Sequence, residues 1–238
     1  MFGAGGGTSS YEDVEETDVI LLWGSNAREA HPIFFHHLLK AVHRGAKLIV
    51  VDPRRTASAQ WADLWLGLDV GTDIPLANAV AREIIEAGLA NEEFIAHATD
   101  NYDAFREAVE PWTLEEAERV TGIPAEAIRE AAHMLGRVDR AQICWTLGIT
   151  EHHNAVDNVF ALINLALLGG HVGRYGSGVQ PLRGQNNVQG GGDMGALPNK
   201  LPGFQAVEQS IVVTGTQSAC GCGSVDTRMV TIVLAQQR

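Results

Sequence analysis

"DVILLWGSNAREAHPIFFHHLLKAVHRGAKLIVVDPRR", residues 18–55, decides the fold. Its first six residues are a short apolar run bounded by an acidic cluster on one side and "GSN" on the other, which reads as a buried strand. From Glu29 to Arg44 the apolar residues Ile33, Phe34, Leu38, Ala41 and Val42 recur at helical spacing, and Gly45 supplies the stop. "AKLIVV" (46–51) is then a second strand. Strand, glycine turn, helix, glycine, strand is a βαβ unit, whose crossover makes the strands parallel and covers the sheet with helices.

The rest of the chain repeats this alternation. "LWLGL" (64–68) is a third apolar run, followed by "DVGTD" and a helix from Ile74 to Glu86 that ends at Gly88. Helical blocks follow at 91–98, 102–109, 113–120 and 124–135. Thr113 stands three residues before Glu116 as a capping box, and Pro124 takes a first-turn position. "AQICWTLG" (141–148) reads as another buried strand and 155–168 as an apolar helix closed by Gly169 and Gly170; beyond them the pattern dissolves into glycine loops. The expected class is α/β, a mostly parallel sheet flanked by helices.

Composition narrows what such a fold can do. The 238 residues are 45% hydrophobic and 19% charged, enough to bury a core. A formal charge of -12 repels phosphate backbones, and no Lys/Arg run overrides it, so nucleic acid is not an expected partner. No apolar stretch approaches the ~20 residues that span a bilayer, and Met1 opens no basic-then-apolar leader; a soluble, cytoplasmic protein is expected. Three cysteines give no disulfide framework and suit a reducing compartment. Cys144, inside "ICW", reads as a buried small hydrophobe; Cys220 and Cys222 form "CGC", two thiolates where structural zinc or an iron–sulfur cluster wants four ligands. The adjacent pairs His36-His37 and His152-His153 point about 100° apart on a helix and do not converge on one ion. No histidine is assigned to metal.

Ligands of open parallel sheets bind beyond the carboxyl ends of the strands. The residues there are Gly24-Ser25-Asn26, Asp52-Pro53-Arg54-Arg55, Asp69 through Asp73, and Leu147 through Glu151. Asp52 stands where a second Rossmann strand ends in an acidic residue that accepts hydrogen bonds from a ribose. No GxGxxG follows the first strand, and "GAGGGT" at 3–8 lies before it, which disfavours an ordinary NAD site. Asp73 has two readings: a helix N-cap, or a base reader whose carboxylate accepts from both N–H groups of a guanine edge. "PLRGQNNVQGGGDMGALP" (181–198) is a polar surface loop on residue types alone, or an anion grip built on Arg183.

"GSNAREAHP", "GAKLIVVDPRR", "VGTD", "WTLGITEHH" and above all "RGQNNVQGGGDMGALP" resemble, in this order from Phe2 to Gln205, the catalytic subunit of formate dehydrogenases of the molybdopterin oxidoreductase superfamily. The resemblance implies a dinucleotide-binding α/β domain over 1–186 and a crossing into a second, incomplete cofactor-binding domain over 187–205. The segment 206–238 is an unmatched tail, expected to be disordered. It implies a bis-molybdopterin guanine dinucleotide cofactor with molybdenum or tungsten, and an iron–sulfur (4Fe-4S) cluster only in a missing upstream region. Asn26, Asp52, Arg54, Gly71 and Asp73 would hold one guanine dinucleotide; Leu147, Gly148 and Glu151 would face the pterins; Arg183 and Gln185 would line the metal and meet formate. Glu151 stands where the family pattern has glutamine, an acceptor in place of a donor. Family members are several times this length, so the expected chain is an internal fragment, inactive alone, partnered by the missing domains or by electron-transfer subunits. A non-catalytic guanine dinucleotide-binding module, or a different substrate in the superfamily, is the alternative.

Overall fold

The computed structural model describes residues 6–196, 200–206 and 230–231. The expected βαβ unit opens the core. Strand β1 (Val19–Trp23) leads through helices α1 (Ala27–Ala30) and α2 (Pro32–His43) to β2 (Lys47–Val51), which lies parallel to β1 with Val19 opposite Lys47. Strand β3 (Leu64–Leu66) adds to the outer edge of β2. Helix α3 (Asp73–Glu86) and the block α4 (Glu92–Ala98), α5 (Tyr102–Val109), α6 (Leu114–Thr121) and α7 (Ala125–Gly136) then carry the chain across the sheet. The two-residue β4 (Thr99–Asp100) lies apart from that sheet and pairs with Val230–Thr231. Strand β5 (Ala141–Trp145) returns beside β1, helix α9 (Ala155–Leu168) follows the short α8 (Leu147–Thr150), and β6 (Gly178–Pro181) closes the far edge. The order is β3-β2-β1-β5-β6, parallel throughout.

Period-two alternation sorts the strand residues into two cores. Val19, Leu21, Trp23, Ile49 and Val51 pack with α3, α7 and α9 on one face; Ile20, Leu22, Leu48, Val50 and Cys144 pack with Phe34, Phe35 and Leu38 of α2 on the other. Both faces are covered, so β1 is buried along its whole length, as parallel strands are. Each large side chain buried here stabilises the fold by about 1.5–3 kcal/mol. Cys144 is fully buried, and desolvation pushes its thiol upward, which makes it an inert small hydrophobe as expected.

The structure departs from the sequence expectations at several places, each with a local cause. The helix expected over 29–44 is broken at His31 (φ -136°), because Pro32 disfavours helical backbone in the residue before it and starts α2 at its first position. The strand expected over 141–148 ends at Trp145, and Leu147–Thr150 turn helical. The run 64–68 pairs only over Leu64–Leu66. Thr113 caps α6 by accepting from the Glu116 N–H at 3.2 Å, but the Glu116 carboxylate pairs with Arg119, so the box is not reciprocal. Pro124 is the N-cap of α7 rather than its first turn. Beyond residue 170, β6 and α10 (Val188–Asp193) form where glycine loops were expected. Residues 6–8 of the glycine-rich start run along β6, with the Thr8 N–H donating to Val179 O at 3.0 Å. The 206–238 tail, Cys220 and Cys222 included, lies outside the described residues except for Ala206 and Val230–Thr231.

Candidate functional site

The chain leaves β1 toward β2 on one side and re-enters beside β1 as β5 on the other, so the crevice beyond the carboxyl ends of β1 and β5 is the topological switch point of the sheet. Two glycine turns meet there. Gly24 (φ +56°) accepts at its carbonyl from the Gly148 N–H at 3.1 Å and from Thr146 Oγ1 at 2.6 Å. This pair of donors ends β5 and curls it into α8. A Cβ on Gly148 would lie 2.5 Å from Gly24 O, a backbone clash that no rotamer relieves, so the approach requires glycine.

A cleft of about 330 Å³ opens over this contact, and Asn26, Asp52, Arg54, Gly71, Asp73 and Gly148 line it, as do Thr146 and His152. Each acidic group is held in place from within. Asp52 is buried and its Oδ1 accepts from the Arg54 N–H at 2.8 Å, a side-chain-to-backbone turn that sets both residues at the end of β2. Asn26 is engaged at both ends of its amide: Nδ2 donates to Glu29 at 2.8 Å and Oδ1 accepts from Ser58 Oγ at 3.1 Å. Gly71 has φ +88° and open space where a Cβ would stand, a turn that keeps the rim of the cleft free.

Asp73 resolves its two readings in part. It is not the N-cap: Thr72 takes that position, without a side-chain cap bond, and Asp73 is the first residue of α3. Its Oδ1 instead accepts from Trp23 Nε1 at 2.7 Å, in the interior. Burial pushes its carboxyl above the ordinary range; the Trp23 hydrogen bond and nearby His152 pull it down. Trp23 carried no signal in the sequence beyond an apolar strand end.

Other expected site residues lie outside the cleft lining. Leu147 is half exposed and Glu151 exposed on the rim of α8. Arg183 and Gln185 are exposed on the ribbon that follows β6. That ribbon is tied down by its backbone: the Leu182 N–H donates to Trp145 O at 2.9 Å, and Arg183 O lies 2.6 Å from His31 Nε2. A Cβ on Gly184 would touch Leu147 at 3.7 Å, which places the ribbon beside the pterin-facing candidate. His31, which the sequence presented as one of nine histidines, is the structural link between the α1–α2 break and Arg183. Among the described residues no group of three or more His, Cys, Asp or Glu side chains is arranged to hold a metal ion.

A parallel sheet in this order, with an acidic cleft at its switch point, defines a doubly wound α/β nucleotide-type fold. The sequence model of the molybdopterin oxidoreductase family matches residues 3–220, and the chain belongs to that family. The match runs past residue 205, where the resemblance was expected to stop. The chain is 48% identical over 209 residues to the F420-dependent formate dehydrogenase 2 subunit alpha of Methanococcus maripaludis, covering 88% of this chain and 31% of that one. It is 40% identical over 206 residues to formate dehydrogenase H of Escherichia coli, covering 87% and 29%. Among solved structures, acetylene hydratase from Pelobacter acetylenicus superposes with a TM-score of 0.68 at 30% identity, over 75% of this chain and 24% of that one. The chain thus spans about a third of the length of the curated relatives it matches.

Proposed function

We propose that this chain is the segment of a molybdenum- or tungsten-dependent formate dehydrogenase catalytic subunit that binds one guanine dinucleotide arm of the bis-pterin cofactor and presents Arg183 and Gln185 to formate. The observation that carries the reading is the cleft: Asn26, Asp52, Arg54, Gly71, Asp73 and Gly148, from four separate stretches of sequence, line one cavity at the switch point.

The donor and acceptor set fits such a group. Asp73 offers acceptors to the two N–H donors of a guanine edge, Asp52 offers one to a ribose hydroxyl, Arg54 can meet phosphate, and Gly71 leaves room for close approach. When bound, the metal–pterin group would take the two electrons that formate releases on becoming carbon dioxide and a proton. Arg183 would orient the substrate, because formate has no apolar surface and a guanidinium can grip its carboxylate with two parallel N–H donors. Gln185 can donate or accept beside it. Leu147 and Glu151 would stand against the pterins.

The expected partners are the remaining domains of the same subunit or electron-transfer subunits. Val70, on the rim of the cleft at 79% exposure, leaves apolar surface for them to cover. Asn187, with φ 51° at the start of α10, is the proposed crossing into a second domain. No helix among the described residues is long and apolar enough to cross a membrane, and the placement we propose is cytoplasmic. The likeness to acetylene hydratase supports a second reading, a different substrate on the same cofactor-binding frame.

Calorimetric titration of the chain with GDP and ADP tests the cleft. GDP should bind more tightly, and Asp73→Ala should remove the preference, costing on the order of 1–3 kcal/mol for the guanine donors left unpaired. Equal affinities in the parent chain would overturn the assignment.

A further inference from the structure

We propose that Trp23 is the positioning residue for nucleobase selection in this cleft: its indole N–H, donated from inside the sheet to Asp73 Oδ1, fixes the plane of the carboxylate that reads guanine. This inference rests on the guanine reading and deepens it. Trp23 ends β1 and is 1% exposed, and strand parity turns it to the face that packs against α3. An indole N–H can only donate, so a buried one needs an acceptor; the acceptor here is Asp73, at 2.7 Å.

The bond takes one of about four lone-pair sites on the carboxylate and leaves acceptor capacity in the cleft that Asp73 lines. Guanine offers two donors side by side, so reading it takes two acceptors in one plane. Adenine offers a donor and an acceptor on its corresponding edge and gains nothing from a second carboxylate oxygen. A carboxylate free to rotate about its last torsion loses that discrimination, because terminal sp³–sp² torsions are broad. Thr72, not Asp73, takes the N-cap position of α3, so the carboxylate is not committed to helix capping.

The charge state of Asp73 is coupled to the same contact. The groups around it are Trp23 from β1, Asp52 from the end of β2 and His152 from the turn before α9; Arg54 lines the same cleft. Burial raises the Asp73 carboxyl, and the Trp23 hydrogen bond opposes that rise. Only the ionised carboxylate accepts from both guanine donors, so GDP affinity should fall away at acid pH.

Trp23→Phe keeps an aromatic ring and removes the donor. Calorimetry should show GDP binding weakened about tenfold, in the range for a lost hydrogen bond to a charged group, with ADP binding unchanged. The acid limb of GDP binding should move to higher pH, a change that loosened packing alone would not produce. In an Asp73→Asn background the Trp23→Phe change should leave the GDP-to-ADP ratio unaltered, since coupled residues are non-additive. An unchanged ratio and acid limb in Trp23→Phe alone would overturn the proposal.

Should Trp23→Phe fail to fold, the parent chain still decides. The Trp23 indole N–H resonance should titrate with the Asp73 carboxyl and shift on adding GDP, whereas an indole signal indifferent to both would overturn the assignment. A parent chain that binds GDP and ADP equally while its indole signal titrates with Asp73 would instead remove the guanine reading and leave the Trp23–Asp73 pair in place.

Discussion

The cleft and the Arg183 ribbon adjoin each other at the top of the same sheet, yet they differ in burial. In the cleft the side chains themselves are fixed: Asp73 by Trp23, Asp52 by the Arg54 backbone, Asn26 by Ser58 and Glu29. On the ribbon the main chain is tied through Arg183 O against His31 and the Leu182 N–H against Trp145, and Arg183 and Gln185 are exposed. On the proposed reading, the cleft would recognise its nucleotide with groups already ordered in this chain, which lowers the entropy that binding must overcome. On the same reading, the ribbon would contribute Arg183 and Gln185 to a site whose other walls the remaining domains supply. The two halves of the proposed function would then differ in how much of each this chain contains.

The largest expected effect breaks the ribbon side of that contrast. In a subunit of the relatives' full length that carries this segment, Arg183→Ala should lower kcat/KM for formate by about two to three decades, roughly 3–4 kcal/mol, with cofactor content unchanged. Arg183→Lys should keep the charge but lose the planar two-donor grip, raising KM and lowering kcat together by a smaller factor. Steady-state kinetics with metal analysis checks both, and an alanine variant of parental kcat/KM would return the ribbon to an ordinary surface loop.

A mid-sized effect concerns the connection that leads into β6, where His171 lies fully buried, its Nε2 3.2 Å from Leu135 O. Desolvation lowers its pKa to about 4. The folded ring therefore resists protonation, and stability present at neutral pH should fall as pH drops below the unfolded value of ~6.5 toward 4, by about 2–3 kcal/mol. Urea unfolding across that window measures the loss. His171→Gln should start less stable and show a flatter slope.

Asp73 in the cleft should behave in the reverse sense, with the smallest effect. Its carboxyl is raised by burial, so the folded state holds its proton longer than the unfolded chain, and stability falls as pH rises through the folded value. Asp73→Asn keeps an oxygen for the Trp23 N–H and removes the desolvated charge. It should stabilise the unliganded chain by up to about 1 kcal/mol at neutral pH, with the gain vanishing at acid pH below the ordinary carboxyl range. Thermal unfolding at both pH values reads this; a loss of stability at neutral pH would mean that the charge contributes more than its burial costs.

The βαβ unit, the parallel sheet and the strand-end positions of Asn26, Asp52, Arg54, Gly71, Asp73 and Gly148 were legible from the sequence, because apolar period and glycine punctuation are local properties of the chain. Strand β6 was not: "GVQP" is four residues with a glycine and a proline, and it pairs only because β5 offers an open edge and the Thr8 segment lies alongside. Helix α10, with three glycines, has poor intrinsic propensity and likewise forms in tertiary context. The helical turn at Leu147–Thr150 was hidden because the cause lies 122 positions away, in the Gly24 carbonyl that Thr146 meets. Residue types alone thus determined which groups reach the top of the sheet. Only the tertiary structure decided which of them are held and by what, since the Trp23–Asp73 and His31–Arg183 contacts join residues 50 and 152 positions apart, and no local pattern records a hydrogen bond that the fold alone brings within reach.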